Sequence, residues 1–213
     1  SARIYYENED MQAKNLPADL VELLGGETGN GNRIKEYSDY GGELGGPIWK
    51  DRIWAWGAYG KTDVTVLTLT GAPDQTILDN RSFKATAQAT QDIRGSYTYF
   101  RGDKLKYGRG ASPKNPPETT YNQSGPTPLH KGELNFVIND SLFLTARGAT
   151  VGGGFQLEPQ GGFETKWYID DDEVNHGSAD GSYNDRPQQA VSGEGSFFRG
   201  RHEVKFGAGW RKA

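Results

Sequence analysis

Residues Gly41–Gly60, GGELGGPIWKDRIWAWGAYG, decide the fold. Read with a period of two, they are two strands joined by a tight polar turn at Lys50-Asp51. The second strand opens Arg52-Ile53-Trp54-Ala55-Trp56, which sets both indoles on one side of the pleat. Aromatic side chains beside a short turn, in a chain poor in apolar runs, are what the rim of a membrane β-barrel needs. A soluble sheet would use the same residues as core anchors. The rest of the chain has to separate the two.

At 213 residues the chain is long enough for one sizeable β domain. Only 34% of residues are apolar and mean hydropathy is -0.78, yet aromatics reach 12% and glycines number 30. Disorder would explain the low hydropathy but not aromatics set in short alternating runs. A transmembrane barrel explains both, because only every second residue meets lipid. No run approaches the roughly 20 apolar residues of a spanning helix.

The formal charge of -4 gives no reason to expect nucleic acid as a partner. Its distribution is lopsided: Glu158–Asp185 is acidic apart from Lys166, and Arg101–Lys114 is basic apart from Asp103. Solvated loops commonly carry such runs. There is no cysteine, so disulfides, thiolate metal sites and thiol nucleophiles are excluded. Ser1 opens directly into strand-like sequence, SARIYYENE, which predicts a segment whose export signal lies upstream.

Alternation predicts nine strands: Ala2–Asn8, Tyr37–Ile48, Arg52–Val66, Ser82–Thr90, Ile93–Leu105, Leu129–Ile138, Ser141–Thr150, Gln189–Phe198 and His202–Arg211. Joints at Lys50-Asp51, Gln91-Asp92, Asn139-Asp140 and Arg199-Gly200-Arg201 are tight. The other connections, Met11–Glu36, Leu67–Arg81, Lys106–Pro128 and Val151–Gln188, are long. Strict short-long alternation collects the tight turns at one end of an up-and-down sheet and the long loops at the other, as in outer-membrane barrels. Compact soluble domains favour connections of roughly 4 to 6 residues.

The expected fold is therefore all-β, an antiparallel up-and-down segment of a transmembrane β-barrel, with residues 1–213 forming one partial barrel domain. Lys84, Gln88, Lys131, Glu133, Asn135, Glu203 and Lys205 alternate with apolar neighbours and are read as lining the lumen. Trp54, Trp56, Tyr97, Tyr99 and Trp210 are read as the aromatic girdle at the membrane interface. Asn15, Pro17 and Gly25 frame a short helix through Leu20–Leu24 in the first long loop.

These residues resemble a known family. SARIYYENED is similar to the first barrel strand of Oar-like TonB-dependent receptors, which directly follows the plug domain. Gly45-Gly46-Pro47-Ile48-Trp49-Lys50-Asp51-Arg52 resembles the family's second hairpin, and Gly200-Arg201-His202-Glu203-Val204-Lys205-Phe206-Gly207 its recurring strand start. The likeness spans most strands and none of the loops. It implies the N-terminal part of a 22-stranded, plugged barrel in the bacterial outer membrane. It also implies ligand-gated active transport, with a plug of the same chain and the TonB energy-transducing complex as partners. The ligand would be a small molecule, glycan or peptide.

No catalytic constellation is found, and no enzyme activity or cofactor is expected. His130, His176 and His202 lack metal-ligand spacing, and neither G-x-S-x-G nor a phosphate-binding loop occurs. No metal site is expected, although Asp170-Asp171-Asp172-Glu173 has the oxygen chemistry of a calcium ligand set without the EF-hand pattern. With Trp167 and Tyr168 just before them, these residues form the candidate ligand-binding loop: rings to stack on a sugar, carboxylates to accept its hydroxyls. Packing within the loop is the competing role for the rings. Lys104, Lys106, Arg109 and Lys114 have the charge to meet lipopolysaccharide phosphates beside outer-membrane lipid. A porin-like channel, a structural outer-membrane protein, and a secreted carbohydrate-binding β-sandwich are the alternative readings.

Overall fold

The computed structural model describes residues 1–13, 16–23, 32–68, 71–178 and 180–213. It contains β1 (Ala2–Asn8), a short helix α1 (Ala18–Leu23), β2 (Arg33–Trp49), β3 (Ile53–Leu67), β4 (Pro73–Gln88), β5 (Ile93–Arg109), β6 (Tyr121–Asn139) and β7 (Leu142–Val151). After these come β8 (Gly154–Pro159), β9 (Tyr168–Ile169), β10 (Asn175–His176), β11 (Ser182–Asp185), β12 (Gln188–Arg199) and β13 (His202–Lys212). The main sheet runs β1-β2-β3-β4-β5-β6-β7-β12-β13, every pair antiparallel. It is an open up-and-down meander, all-β, with its nine strands where alternation predicts them.

The tight joints are made by local chemistry. At the first, the Arg52 amide donates to the Trp49 carbonyl at 3.0 Å while Asp51 takes φ 61°. Aspartate tolerates that left-handed conformation better than most residues. Arg52 also lays its guanidinium 5.5 Å from the Trp49 ring centre. At the third, Asn139 Oδ1 accepts from the Ser141 amide at 2.9 Å, a side chain standing in for a backbone turn. Gly200, φ 60°, makes the fourth.

At the opposite end the strands run further than alternation shows. The expected loop Leu67–Arg81 is mostly strand: β4 starts at Pro73, and Asp74 through Asn80 pair with Val66 through Gly60. Asp74, Gln75, Thr76, Asp79, Asn80 and Arg81 are polar on both faces, so no apolar period marks them. The same holds for Arg33–Glu36 at the start of β2 and for Tyr121–Pro128 in β6. The expected loop Val151–Gln188 contains β8 and β11, which continue the sheet above β7 and β12, with β8 paired to both β6 and β11. Gly108 serves the bulge between Lys106 and Arg109: its φ is 72°, and a Cβ there would stand 2.2 Å from the Pro73 carbonyl oxygen. The predicted helix is α1; Asn15, Leu24 and Gly25, its expected cap and end, lie outside the described residues.

Among the described residues no second layer covers the main sheet. Among the described residues the buried apolar side chains are Val21, in α1, and Ala72, in the β3–β4 turn. Large apolar residues of the main sheet such as Ile4, Leu44, Leu134, Val204, Phe206 and Trp210 stand open.

Candidate functional site: two faces of the sheet and a distal hairpin

Antiparallel partners share a face, so the register sorts every strand residue. Lys84 stands opposite Thr98, which stands opposite Lys131; Gln88 opposes Arg94, which opposes Asn135. Glu133 opposes Arg147, and the row continues through Ser192 to β13, bringing Glu203 and Lys205 to the same side. All seven residues read as lumen-lining thus share one polar face.

That face is knitted by charge. Glu133 accepts from Asn135 Nδ2 at 3.1 Å and Arg147 Nε at 3.0 Å, with Lys131 Nζ at 3.6 Å. Arg147 also reaches Glu194 at 2.7 Å, and Thr145 Oγ1 donates to Asn135 Oδ1 at 2.8 Å. Arg147 and Glu194 are functional-face residues that the sequence reading did not single out. Their signal was present: Thr145 and Arg147 alternate with Leu144, Ala146 and Gly148. Nearer β1, Asp39 accepts from Arg3 Nε and from Thr62 Oγ1, both at 2.6 Å.

The opposite face is apolar near the tight turns. Ile53, Ala55 and Gly57 oppose Ala87, Ala85 and Phe83, and the rows continue through Gly95, Tyr97 and Tyr99. Phe136, Leu144, Val204, Phe206, Ala208 and Trp210 extend the band across β6, β7 and β13. Tyr97 hydroxyl lies 2.7 Å from His130 Nδ1, and the Tyr99 ring packs 5.0 Å from the same imidazole. Further along, the face becomes polar: Tyr59 hydroxyl donates to Asp79 at 3.0 Å, beside the ion pairs Arg81–Asp79 and Arg101–Asp103.

Tyr97, Tyr99 and Trp210 lie on this apolar face. Trp54 and Trp56 do not, which corrects the expectation that all five aromatics form one girdle. Trp56 opposes Gly45 and Lys84, and Trp54 opposes Pro47 and Thr86, so both indoles belong to the polar face. Trp56 Nε1 donates to Glu43 Oε2 at 3.1 Å. The reason is that neither face of Ile53–Gly60 is polar: Ile53, Ala55 and Gly57 on one side answer Trp54, Trp56 and Ala58 on the other. Periodicity fixes which residues are co-facial there but cannot say which side is which.

The candidate ligand loop folds as a small hairpin, β9 against β10. Asp170 organises it. Its Oδ1 accepts the amides of Asp172 at 3.0 Å and Val174 at 2.9 Å, and Oδ2 lies 2.7 Å from His176 Nε2. The His176 contact, then the two amides, hold the Asp170 carboxyl below its ordinary pKa. Tyr168 stacks on His176 with ring centres 4.8 Å apart, so one side of the ring is packed, while the residue remains half exposed. Glu173 turns to Lys114, whose ammonium keeps its carboxyl low as well. Asn175 binds the same neighbour loop, its amide on the Lys114 carbonyl at 2.9 Å and Nδ2 on Asn115 at 2.6 Å.

The structure therefore divides the predicted cluster. Asp170 and Glu173 are spent on holding the hairpin, while Trp167, Asp171 and Asp172 face solvent. Among the described residues no three His, Asp or Glu side chains converge to hold a metal ion. Of the basic stretch, Lys106 pairs with Asp74, Arg109 meets Gln123 and Lys114 meets Glu173. Among described residues no helix is long and apolar enough to cross a membrane, a statement that does not bear on strands. No protein-family model matches the chain, and no curated protein or solved structure matches it either.

Proposed function

We propose that this chain is part of the wall of a bacterial outer-membrane β-barrel. The observation that carries the reading is a one-layer sheet with an uncovered apolar band on one face and an ion-paired polar network on the other. A β-sandwich would bury one face against a second sheet. A barrel wall presents its apolar face to lipid and its charges to an aqueous interior. Strand length supports the same reading. β2 to β6 run 15 to 19 residues, whereas roughly 9 to 11 cross a bilayer. The surplus lies at the long-loop end, where Asp79, Arg81, Arg101 and Asp103 replace apolar residues on the band's face.

Within that architecture we assign the chain to a ligand-gated active transporter, on the resemblance of Gly45–Arg52 and Gly200–Gly207 to Oar-like TonB-dependent receptors. The distal strands and loops would take the ligand, a plug of the same chain would close the interior, and the TonB complex would supply the energy.

This chain contributes no cysteine of its own, which suits single-cysteine scanning with a fluorescent thiol label. In intact protein in outer-membrane vesicles, cysteines at Phe83, Ala85 and Ala87 are expected to be quenched by lipid-borne nitroxide. Cysteines at Lys84, Thr86 and Gln88 are expected to be spared. Equal quenching at all six positions refutes the barrel. Steady open conductance of the intact protein in planar bilayers would refute the plugged transporter while leaving the barrel standing.

A further inference from the structure

The sheet breaks at one place. β7 ends at Val151 and resumes as β8 at Gly154, while β11 ends at Asp185 and resumes as β12 at Gln188. The break is fixed by the Gly152 amide on the Pro128 carbonyl at 2.8 Å and the Arg186 amide on the Gly153 carbonyl at 2.5 Å. Above it lies a cleft of about 320 Å³, between a wall of Pro126 and Pro128 and a wall of Tyr183 and Asp185.

The register builds this cleft. Ser124, Gln156 and Tyr183 stand in one row across β6, β8 and β11. In the next row Asp185 faces Gly154, where a Cβ would come 2.1 Å from the Asn184 carbonyl oxygen. Only glycine fits there, and its missing side chain opens the floor in front of the carboxylate. The polar groups around this floor are not consumed internally. Among the described residues, the side chains of Ser124, Tyr183 and Asp185 make no hydrogen bond or ion pair. Gln156 gives its amide to Glu158 at 2.5 Å and keeps its carbonyl free. Asn184 alternates to the other face of β11, where it accepts from Arg186 Nε at 2.6 Å. The Tyr183 ring is 75% exposed.

We infer that this cleft binds a neutral saccharide, one to two sugar rings at a time. The ring of Tyr183 and the prolines offer apolar surfaces to the C–H face of a pyranose. The Asp185 carboxylate, the Gln156 amide and the Ser124 hydroxyl then meet its hydroxyls as both donors and acceptors. No unpaired cation lines the cleft, which speaks against a phosphate, and the free polar groups speak against an acyl chain. The site is separate from the 167–173 hairpin and does not depend on the transport reading. A free glycan and the saccharide of lipopolysaccharide share this chemistry, and the test separates them as sources.

The test uses the intact protein in a detergent without a sugar headgroup, since a glycoside detergent would compete. Maltose, cellobiose, chitobiose and a neutral, lipid-free core oligosaccharide of lipopolysaccharide are titrated by calorimetry and saturation-transfer NMR. Saturable binding of at least one is expected. Tyr183→Ala, at an exposed position that folding does not need, should weaken it about tenfold. Tyr183→Phe should retain most of the affinity, and Asp185→Asn should weaken it several-fold. Binding of a disaccharide identifies free glycan as the source; binding of core oligosaccharide alone identifies lipopolysaccharide. No saturable binding by any probe overturns the inference, as does binding that Tyr183→Ala leaves unchanged.

Discussion

Adjacent glycines in the second hairpin give a sharp test of which way the indoles point. A Cβ on Gly45 would stand 2.8 Å from Trp56 Cδ1 and 2.9 Å from Trp56 Cβ, with the Ala55 carbonyl oxygen at 3.1 Å. A Cβ on Gly46 would meet nothing within 4 Å. Alanine at an unstrained glycine site stabilises by about 0.4–1 kcal/mol through the unfolded chain. Overpacking costs about 1–3 kcal/mol. Gly46→Ala is therefore expected to be neutral or slightly stabilising, and Gly45→Ala to destabilise, the two differing by about 2 kcal/mol. With a urea slope of roughly 1–3 kcal/mol/M, the midpoints should separate by about 1 M. The assay is urea unfolding of the intact protein in micelles, followed by far-UV circular dichroism so that changing a tryptophan does not change the probe. In a Trp56→Ala background the penalty at Gly45 should shrink without vanishing, because the ring contact at 2.8 Å is gone while the Cβ contact at 2.9 Å remains. Equal midpoints for the two alanine variants, or a larger loss from Gly46→Ala, would refute the placement of Trp56 over Gly45 and with it the assignment of faces.

Three further outcomes are expected. Arg147→Met leaves Glu133 and Glu194 without their shared cation, so its urea midpoint should fall further than that of Arg147→Lys; equal midpoints would show that the pairing contributes nothing. Because the folded-state pKa of Asp170 is depressed, its contribution is fully present above the unfolded value of about 3.9 and is lost as pH falls through the lower folded value. Hydrogen-exchange protection of the 168–176 amides, corrected for intrinsic rate, should thus stay level from neutrality to the ordinary carboxylate range and decline below it. Asp170→Asn should abolish that dependence, and a decline centred near pH 6–7 would assign it to histidine instead. Gly154→Ala drives a methyl into the Asn184 carbonyl, so amide protection along β8 and β11 should fall while that of β2–β5 is unaffected; uniform protection would contradict the cleft geometry.

The fold was legible where one face of a strand is polar and the other is not. Leu134, Phe136 and Ile138 against Glu133 and Asn135 place β6, and Asn139-Asp140 and Gly200 mark turns by their own backbone chemistry. Strand length was not legible. Asp74–Arg81 is held by main-chain pairing to β3, and pairing leaves no trace in the residue pattern when both faces are solvated. The face of Trp54 and Trp56 was hidden by Ile53 and Ala55 beside them. In the acidic loop, sequence identified the chemically rich residues but not their employment: the Glu173 contact with Lys114 and the stack of Tyr168 on His176 depend on loop-to-loop packing. Tyr183 and Asp185 read only as part of the turn-rich acidic stretch Asp180–Asp185, because their partners Gln156 and Gly154 lie in a stretch that reads as connection.

Among the described residues, seven of the eight pairings between neighbouring main strands close across a connection that holds no further strand, but the seam between β7 and β12 must be closed across residues 152–187. Closing a loop roughly tenfold longer than a tight turn costs about 2 kcal/mol more in chain entropy. Once β8 is paired with β11, Gly154 stands beside Asp185 and only two residues on each strand separate that pairing from the Val151–Gln188 pair, so the entropy is spent at the β8–β11 step and little is left for the seam. The β8–β11 pair is then a zipper pull as well as an extension of the sheet. Variants that weaken it should slow the joining of the two halves of the sheet more than they lower its final stability.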